Sequence, residues 1–276
     1  MSKKSEGAYT KAGINIDAAK KAVELIKPHI RSTYGSRVLS NVGSFAGLLD
    51  VSFFLKRYQN PVLAMSADGP GTKMIIAEMM DNYQVGRCIV NHNVNDVLCP
   101  GAYPIAFLNY LGSAKLEPEV TGKIVAEMAV ACQEIAIPIL GGETAEMPAI
   151  YQEGRHEAVG FIVGVVEKDR IIDGSKIEEG DVLIGLPSNG LHTNGYSLAI
   201  KAFFETAGYK VNTYLRELGC TIGEELLKVH KCYLKSVERI LATKGRVHGI
   251  AHITGGGFYD NIGRLLKDGL CAQISY

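Results

Sequence analysis

The sequence has no surplus of either charge: 29 Lys and Arg stand against 29 Asp and Glu. The basic excess of a nonspecific nucleic-acid binder is therefore missing. No apolar run reaches the ~18 residues of a membrane span. The opening MSKKSEGAYT is charged and has no apolar core segment, so a secretory signal is not expected. The six cysteines, at 88, 99, 132, 220, 232 and 271, contain no C-x-x-C pair. Zinc knuckles and thioredoxin chemistry are thus disfavoured, and reduced, mostly buried thiols are expected. Internal repeats and low-complexity tracts are missing as well. A soluble cytoplasmic protein is expected, and 276 residues at 47% hydrophobic suffice for one large domain or two ordinary ones.

What is present is an alternation of periods. Residues 16–30 place Ala22, Val23, Ile26 and Ile30 on one helical stripe, and residues 118–136 repeat the pattern with Val120, Ile124, Met128, Cys132 and Ile135. Short apolar runs at 62–67, 105–111, 137–140 and 158–166 read as strands. Residues 84–99 read as a helix carrying a polar block, Asn91-His92-Asn93 and then Asn95-Asp96. The turn-rich segment 168–181 marks a boundary near residue 170, giving domains 1–170 and 171–276. Beyond it the pattern predicts strands at 182–186, 247–253 and 270–275, and helices from 196 and over 223–230 and 232–242. Helices and strands alternate throughout, so the fold class is α+β with α/β-like alternation.

Five segments carry candidate chemistry. Asp68-Gly69-Pro70-Gly71-Thr72-Lys73 follows a strand; its glycines let backbone N–H groups approach an anion, and Lys73 adds a cation. It is not a G-x-x-x-x-G-K-[ST] loop, and an ordinary Asp-Gly turn is the plain alternative. Asn95-Asp96 lies between Val94 and Val97-Leu98, where a buried Asn and Asp would be costly unless something such as a hydrated magnesium ion satisfied them. Gly141-Gly142-Glu143-Thr144 ends a strand with a carboxylate, a hydroxyl and free amides at one spot. His192-Thr193-Asn194-Gly195 and His252-Ile253-Thr254-Gly255-Gly256-Gly257 are turns that open helices, where phosphate is attracted and a histidine can move protons. A lone histidine is more often structural; two in such turns favour a site.

DGPGTK, ND-x4-GAYP, GGETAEMP, LHTNGYSL and HITGGGF, in this order, resemble the aminoimidazole ribonucleotide synthetase, or phosphoribosylformylglycinamidine cyclo-ligase, family. The opening YTKAGINIDAAKKAVELIK is similar too, so the likeness spans essentially the whole chain. It implies a ligase of purine synthesis that converts formylglycinamidine ribonucleotide and ATP to aminoimidazole ribonucleotide, ADP and phosphate. It further implies magnesium with ATP as co-substrate, and a homodimer whose N-terminal domains close a shared β-barrel, followed by a C-terminal mixed sheet with helices. By position the resemblance implies magnesium ligands Asp50, Asp68 and Asp96. ATP contacts fall to Lys27, Asp68, Gly69, Gly71, Thr72, Lys73, Gly142, Glu143 and Thr144. Substrate contacts fall to His192, Asn194, Gly255 and Gly256, and the catalytic set is Lys73, His192 and His252. The family usually has Val at Pro70, Asp at Cys88 and Asp at Asn109, and it continues past Tyr276 with a T-F-N-x-G-x-G-M segment. This chain is thus expected to be a fragment or a shortened relative. Two other readings stay open: a different ATP-using enzyme of the superfamily, and a catalytically silent nucleotide-binding module.

Overall fold

The computed structural model describes residues 15–243 and 246–274. Most of the YTKAGIN similarity and the end of the 270–275 strand lie outside them.

The first helix, α1 (Ile16–Ser32), starts where the Asn15 side chain accepts the Ala18 amide, and it buries Ala22 and Ile30. Val23, expected on the same stripe, is 38% exposed. After the short helix α2 (Ser52–Arg57) come β1 (Pro61–Asp68), α3 (Lys73–Met80), α4 (Val85–Leu98), β2 (Tyr103–Ser113), α5 (Pro118–Glu134), β3 (Ile139–Glu146) and β4 (His156–Glu167). The strands form one mixed sheet, ordered β1-β4-β2-β3, in which β4 runs antiparallel to β1 and β2, while β3 runs parallel to β2. Helix α4 lies on one face of this sheet, α5 packs on α4, and α1 packs on α5. Ile89, Val94, Phe107, Ile124, Met128 and Ile162 fill the layer between. A smaller cluster of Phe54, Ile105, Ala106 and Val165 sits on the other face beneath α2.

Glycine is required where backbones approach. A Cβ on Gly160 of β4 would stand 2.8 Å from the Asn93 amide nitrogen of α4, so the helix could not lie this close to the sheet over any other residue. The Gly-Gly-Glu-Thr segment was expected as a loop after a strand ending at 140. It is instead strand, because β3 continues to Glu146 and pairs Asn109 with Gly142, Tyr110 with Glu143 and Leu111 with Thr144.

The C-terminal part holds α6 (Tyr196–Ile200), α7 (Ile222–Leu226), α8 (Leu234–Ala242) and α9 (Gly257–Gly263). Its one sheet among the described residues is the pairing of β5 (Tyr214–Leu215) with β6 (Cys220–Thr221). The strands expected at 182–186 and 247–253, and within 270–274, form no ladder, and Val182 and Ile184 are 84% and 81% exposed. The expected mixed sheet of this part is therefore not formed among the described residues: apolar runs need partner strands, and none flank these. The helix expected over 223–230 stops at Leu226, because side chains from α3 and α4 take the backbone groups of residues 228–231. Lys73 Nζ donates to the Lys228 carbonyl at 2.6 Å, Asn91 Nδ2 to His230 at 2.7 Å and Asn95 Nδ2 to Lys231 at 2.9 Å. No described helix is long and apolar enough to cross a membrane.

Candidate functional site

Helix α4 positions the site. It is buried on nearly every side, although it carries Asn91, His92, Asn93 and Asn95, each at most 5% exposed. Such groups are costly to bury unless partnered. Asn93 Nδ2 donates to the Asp68 carbonyl at the end of β1 (3.0 Å) and to Ile89 within the helix (2.9 Å). Asn95 donates to Lys231, contacts His230 Nε2 at 3.0 Å, and accepts the Tyr233 amide at 3.0 Å. The polar block is thus satisfied largely by the segment around His230, where a magnesium ion had been expected. Cys88, standing where the resemblance implies Asp, accepts the His230 amide through Sγ at 3.3 Å.

Four imidazoles meet above this helix. His192 stacks on His230 with centroids 4.1 Å apart, His92 lies 5.1 Å from both His230 and His252, and His230 lies 5.5 Å from His252. Thr193 Oγ1 joins His92 Nδ1 (2.7 Å) to His230 Nδ1 (3.3 Å). Burial first, then the charge of Lys73, pulls the His192 imidazole down to about 4. Burial and the neighbouring His192 hold His230 far below the ordinary histidine range. Both rings are neutral near pH 7. His192 also holds φ +60°, a left-handed conformation uncommon outside glycine and concentrated at functional sites.

Two carboxylates border the cluster. Asp96 is bonded through Oδ1 to His252 Nδ1 at 2.8 Å and through Oδ2 to the Ser66 hydroxyl at 2.9 Å. Asp68 accepts the Gly69 amide on Oδ1 at 2.7 Å, and its Oδ2 stands 3.0 Å from His92 Nε2. Burial pushes the Asp68 carboxyl up, but His92 and the Gly69 amide outweigh it and hold it below its ordinary value. The C-terminal turns close over this edge: Thr72 Oγ1 is 3.3 Å from Ser197 Oγ, and Asn194 Nδ2 donates to Thr254 Oγ1 at 2.7 Å. Asn261 Nδ2 gathers the carbonyls of Thr254, Gly255 and Gly257, fixing the triple-glycine turn.

With this geometry, residues 47–166 match the AIR synthase related protein N-terminal domain, and residues 178–276 match its C-terminal domain. The chain belongs to the AIR synthase related family. It is 44% identical over 268 residues to phosphoribosylformylglycinamidine cyclo-ligase of Alkaliphilus oremlandii, covering 97% of this chain and 78% of the relative. The same enzyme of Caldanaerobacter subterraneus is 46% identical over 267 residues, with coverage of 96% and 78%. Among solved structures, Hydrogenase Maturation Protein HypE in complex with ATP superposes with TM-score 0.58 at 18% identity, over 86% of this chain and 62% of that one. Thiamine-monophosphate kinase from Stenotrophomonas maltophilia gives 0.53 at 16%, over 74% and 58%. The chain spans less than two thirds of the length of these two, and the likeness is one of fold.

Within this AIR synthase related fold the expected residues divide. Asp68, Gly69, Gly71, Thr72, Asp96, His192, Asn194, His252, Gly255 and Gly256 lie on turns and elements joined by the contacts above. Asp50 is engaged locally: its Oδ1 accepts the Ser52 amide at 2.9 Å at the start of α2. Lys73 is fully buried and donates to the His192 and Lys228 carbonyls at 2.7 and 2.6 Å, so its ammonium faces inward and not toward a phosphate. Gly142, Glu143 and Thr144 lie in the edge strand β3, with two strands between it and β1, and Lys27 is carried by α1, which touches β3. Two members of the cluster, His92 and His230, were not singled out as site residues. The signal for His92 was its spacing from Asp96, four residues along one helix face; His230 is brought in by tertiary structure alone.

Proposed function

We propose that this chain is an ATP-dependent cyclo-ligase of purine synthesis, converting formylglycinamidine ribonucleotide and ATP to aminoimidazole ribonucleotide, ADP and phosphate. The observation that carries this beyond kinship is the closure of the His192–Gly195 and Thr254–Gly257 turns over the Asp68–Thr72 turn, through Thr72–Ser197 and Asp96–His252. A phosphate-receptive turn and two amide-rich turns then share one edge.

ATP phosphorylates the formamide oxygen of the ribonucleotide, converting a poor leaving group into a good one. A nitrogen of the same molecule attacks the activated carbon and closes the five-membered ring, expelling phosphate. The protein's part is to hold nitrogen and carbon in attacking distance and to meet the charge on the transferring phosphoryl group. Gly69, Gly71 and Thr72 would offer amides and a hydroxyl to the nucleotide, with Lys27, Gly142, Glu143 and Thr144 contributing from the α1 and β3 side. His192, Asn194, Gly255 and Gly256 would hold the ribonucleotide; neutral His192 accepts a proton without first losing one. Lys73 acts as a positioning residue. The binding of ATP by a protein of the same fold supports the nucleotide assignment.

Magnesium would arrive with the nucleotide. Such an ion keeps several waters and takes one or two carboxylates plus phosphate oxygens. Asp68, whose side chain is 44% exposed, suits that role best, with Asp96, 26% exposed and held by Ser66 and His252, as the more enclosed second carboxylate. The ion would neutralise charge on the transferring phosphoryl group.

A homodimer accords with β1 being an edge strand that exposes Leu63 and Met65, and the cytoplasm is the compartment this chemistry implies. Purified protein incubated with formylglycinamidine ribonucleotide and ATP should yield ADP and ring product in equal amounts. ADP without ring would transfer the reading to another acceptor, and neither product would leave a binding module.

A further inference from the structure

We propose that a cavity in the C-terminal part, rimmed by Lys176, Arg246 and Lys267, binds the phosphate group of a small phosphorylated metabolite. The inference does not rest on the ring-closing reading, and the cavity shares no lining residue with the site described above.

The cavity measures about 630 Å³, within the range of about 300–1,000 Å³ that small-molecule sites occupy. Three separate segments build it: the turn at 175–178, the run at 246–248, and Lys267 beyond α9. Local bonds fix the turn. The Ser175 amide donates to Asp173 Oδ1 at 2.9 Å, and the Ile177 amide closes on the Gly174 carbonyl at 3.0 Å. Gly174 holds φ +80°, and a Cβ there would stand 2.4 Å from the Leu265 carbonyl oxygen, so the turn meets the segment that leads to Lys267 through backbone. A Cβ on Gly249 would come within 2.9 Å of Ile177 Cδ1, which brings the 246–248 run against the same turn.

Charge separates this hollow from ordinary surface. The chain is neutral overall, yet three cations line the cavity against one carboxylate, that of Glu178. Neighbouring acids are already held. Asp181 Oδ2 accepts the Glu178 amide at 3.2 Å and is bonded to His248 Nδ1 at 2.7 Å. Hydrogen bonds from Ser175 hold the Asp173 carboxyl below its ordinary value, and Lys176 contributes least to that shift. Lys176, Arg246 and Lys267 make no ion pair and no side-chain hydrogen bond among the described residues. Like charges gathered without a counterion repel, and one phosphate group with several oxygens can answer all three. Arg246 can grip two oxygens in a fork, while the lysines act as point charges. Ile177 and Val247 give the cavity an apolar side for the carbon body of the ligand. Its size suits a sugar phosphate better than a lone phosphate ion.

The test is amide NMR of the isotopically labelled full chain, titrated with ribose 5-phosphate and separately with ribose and with inorganic phosphate, at constant ionic strength. The amides of Ser175, Lys176, Glu178 and His248 should shift and saturate with ribose 5-phosphate, and ribose should leave them unmoved. Arg246→Gln and Lys267→Gln should each weaken that binding about tenfold or more. Both side chains are exposed, so each variant should keep its far-ultraviolet circular dichroism. Shifts that never saturate, or that are confined to the Asp68–His252 edge, would overturn the proposal. So would unchanged affinity in both variants, or ribose 5-phosphate bound no more tightly than inorganic phosphate. ATP affinity measured on the same samples should match that of the parent; a parallel loss would merge the cavity with the nucleotide site and overturn the proposal as well.

Discussion

The ammonium of Lys73, at the start of α3, lies 2.6 Å from the carbonyl of Lys228, which is 155 residues away in sequence. With the His192 carbonyl at 2.7 Å, it ties the Asp68 turn to two C-terminal segments. Burial lowers the Lys73 pKa, yet the group retains two acceptors. Each hydrogen bond to a buried charge contributes about 1.5–3 kcal/mol, so Lys73→Met should lower stability by about 3 kcal/mol or more in urea unfolding. Because the ammonium faces inward, ATP affinity should change by less than about tenfold, or 1.4 kcal/mol. A large loss of ATP binding with unchanged stability would return Lys73 to the phosphate site.

The Asp68 side chain is more open than that of Asp96, 44% against 26% exposed. Asp68→Asn removes the carboxylate best placed for the nucleotide's magnesium, and the affinity for Mg-ATP should fall by about tenfold or more, equivalent to about 1.4 kcal/mol. Affinity for ATP in excess chelator should move little. Isothermal titration under both conditions checks the difference; equal losses would mean that Asp68 supports the turn and not the ion.

The arrangement of Lys73 and Asp68 shows what could be read in advance. The first strand, the amphipathic helix α5 and the polar block of α4 were legible because period and composition are local properties. The engagement of Lys73 by distant carbonyls was not, since a Gly-rich turn ending in lysine looks alike whether the ammonium points out or in. The same holds for Gly142–Thr144: pairing with Asn109–Leu111 turns an apparent loop into strand, and only the partner strand reveals it. The run at 182–186 shows the converse, an apolar segment with no ladder to join. At the site, Asp68, Asp96, His192 and His252 were visible as motif residues. His230 was hidden because its neighbours in sequence are ordinary and its partners, Cys88, Asn91 and Asn95, are not near it in the chain.

The histidine cluster carries a pH signature. His192 is held at about 4 in the folded chain, against an ordinary 6.5, and His230 is also lowered. A lowered histidine pKa means that the unfolded chain takes up protons first. Above about pH 7 both states are neutral and the effect is absent. As pH falls through 6.5 the folded state loses stability, and the His192 part of the loss levels off near 4. Urea midpoints measured in chelator from pH 8 to pH 5 should decline, and His230→Gln should make the decline shallower. A midpoint constant across that range would contradict the neutral cluster.

The outer face of β1 gives the last prediction. Its burial alternates along the whole strand, and Leu63 and Met65 point outward at 54% and 68% exposure, beside Phe161 of β4 at 42%. In the antiparallel register Met65 faces Val163 and Ala67 faces Phe161, so these side chains share one face. Where α2 covers that face, Val165 is 2% exposed; beyond α2 it is open. β1 also ends the sheet, with one side unpaired among the described strands. An apolar face next to a free strand edge favours pairing with a second copy. Burying each large side chain contributes about 1.5–3 kcal/mol, so two per subunit, counted on both subunits, can decide assembly. Sedimentation velocity at micromolar concentration should show a dimer for the unaltered chain and a monomer for Leu63→Lys with Met65→Lys. Both side chains are largely exposed within one chain, so the variant should keep its far-ultraviolet circular dichroism. A monomeric parent would rule out assembly through this face, and a dimeric variant would place the contact elsewhere on the surface.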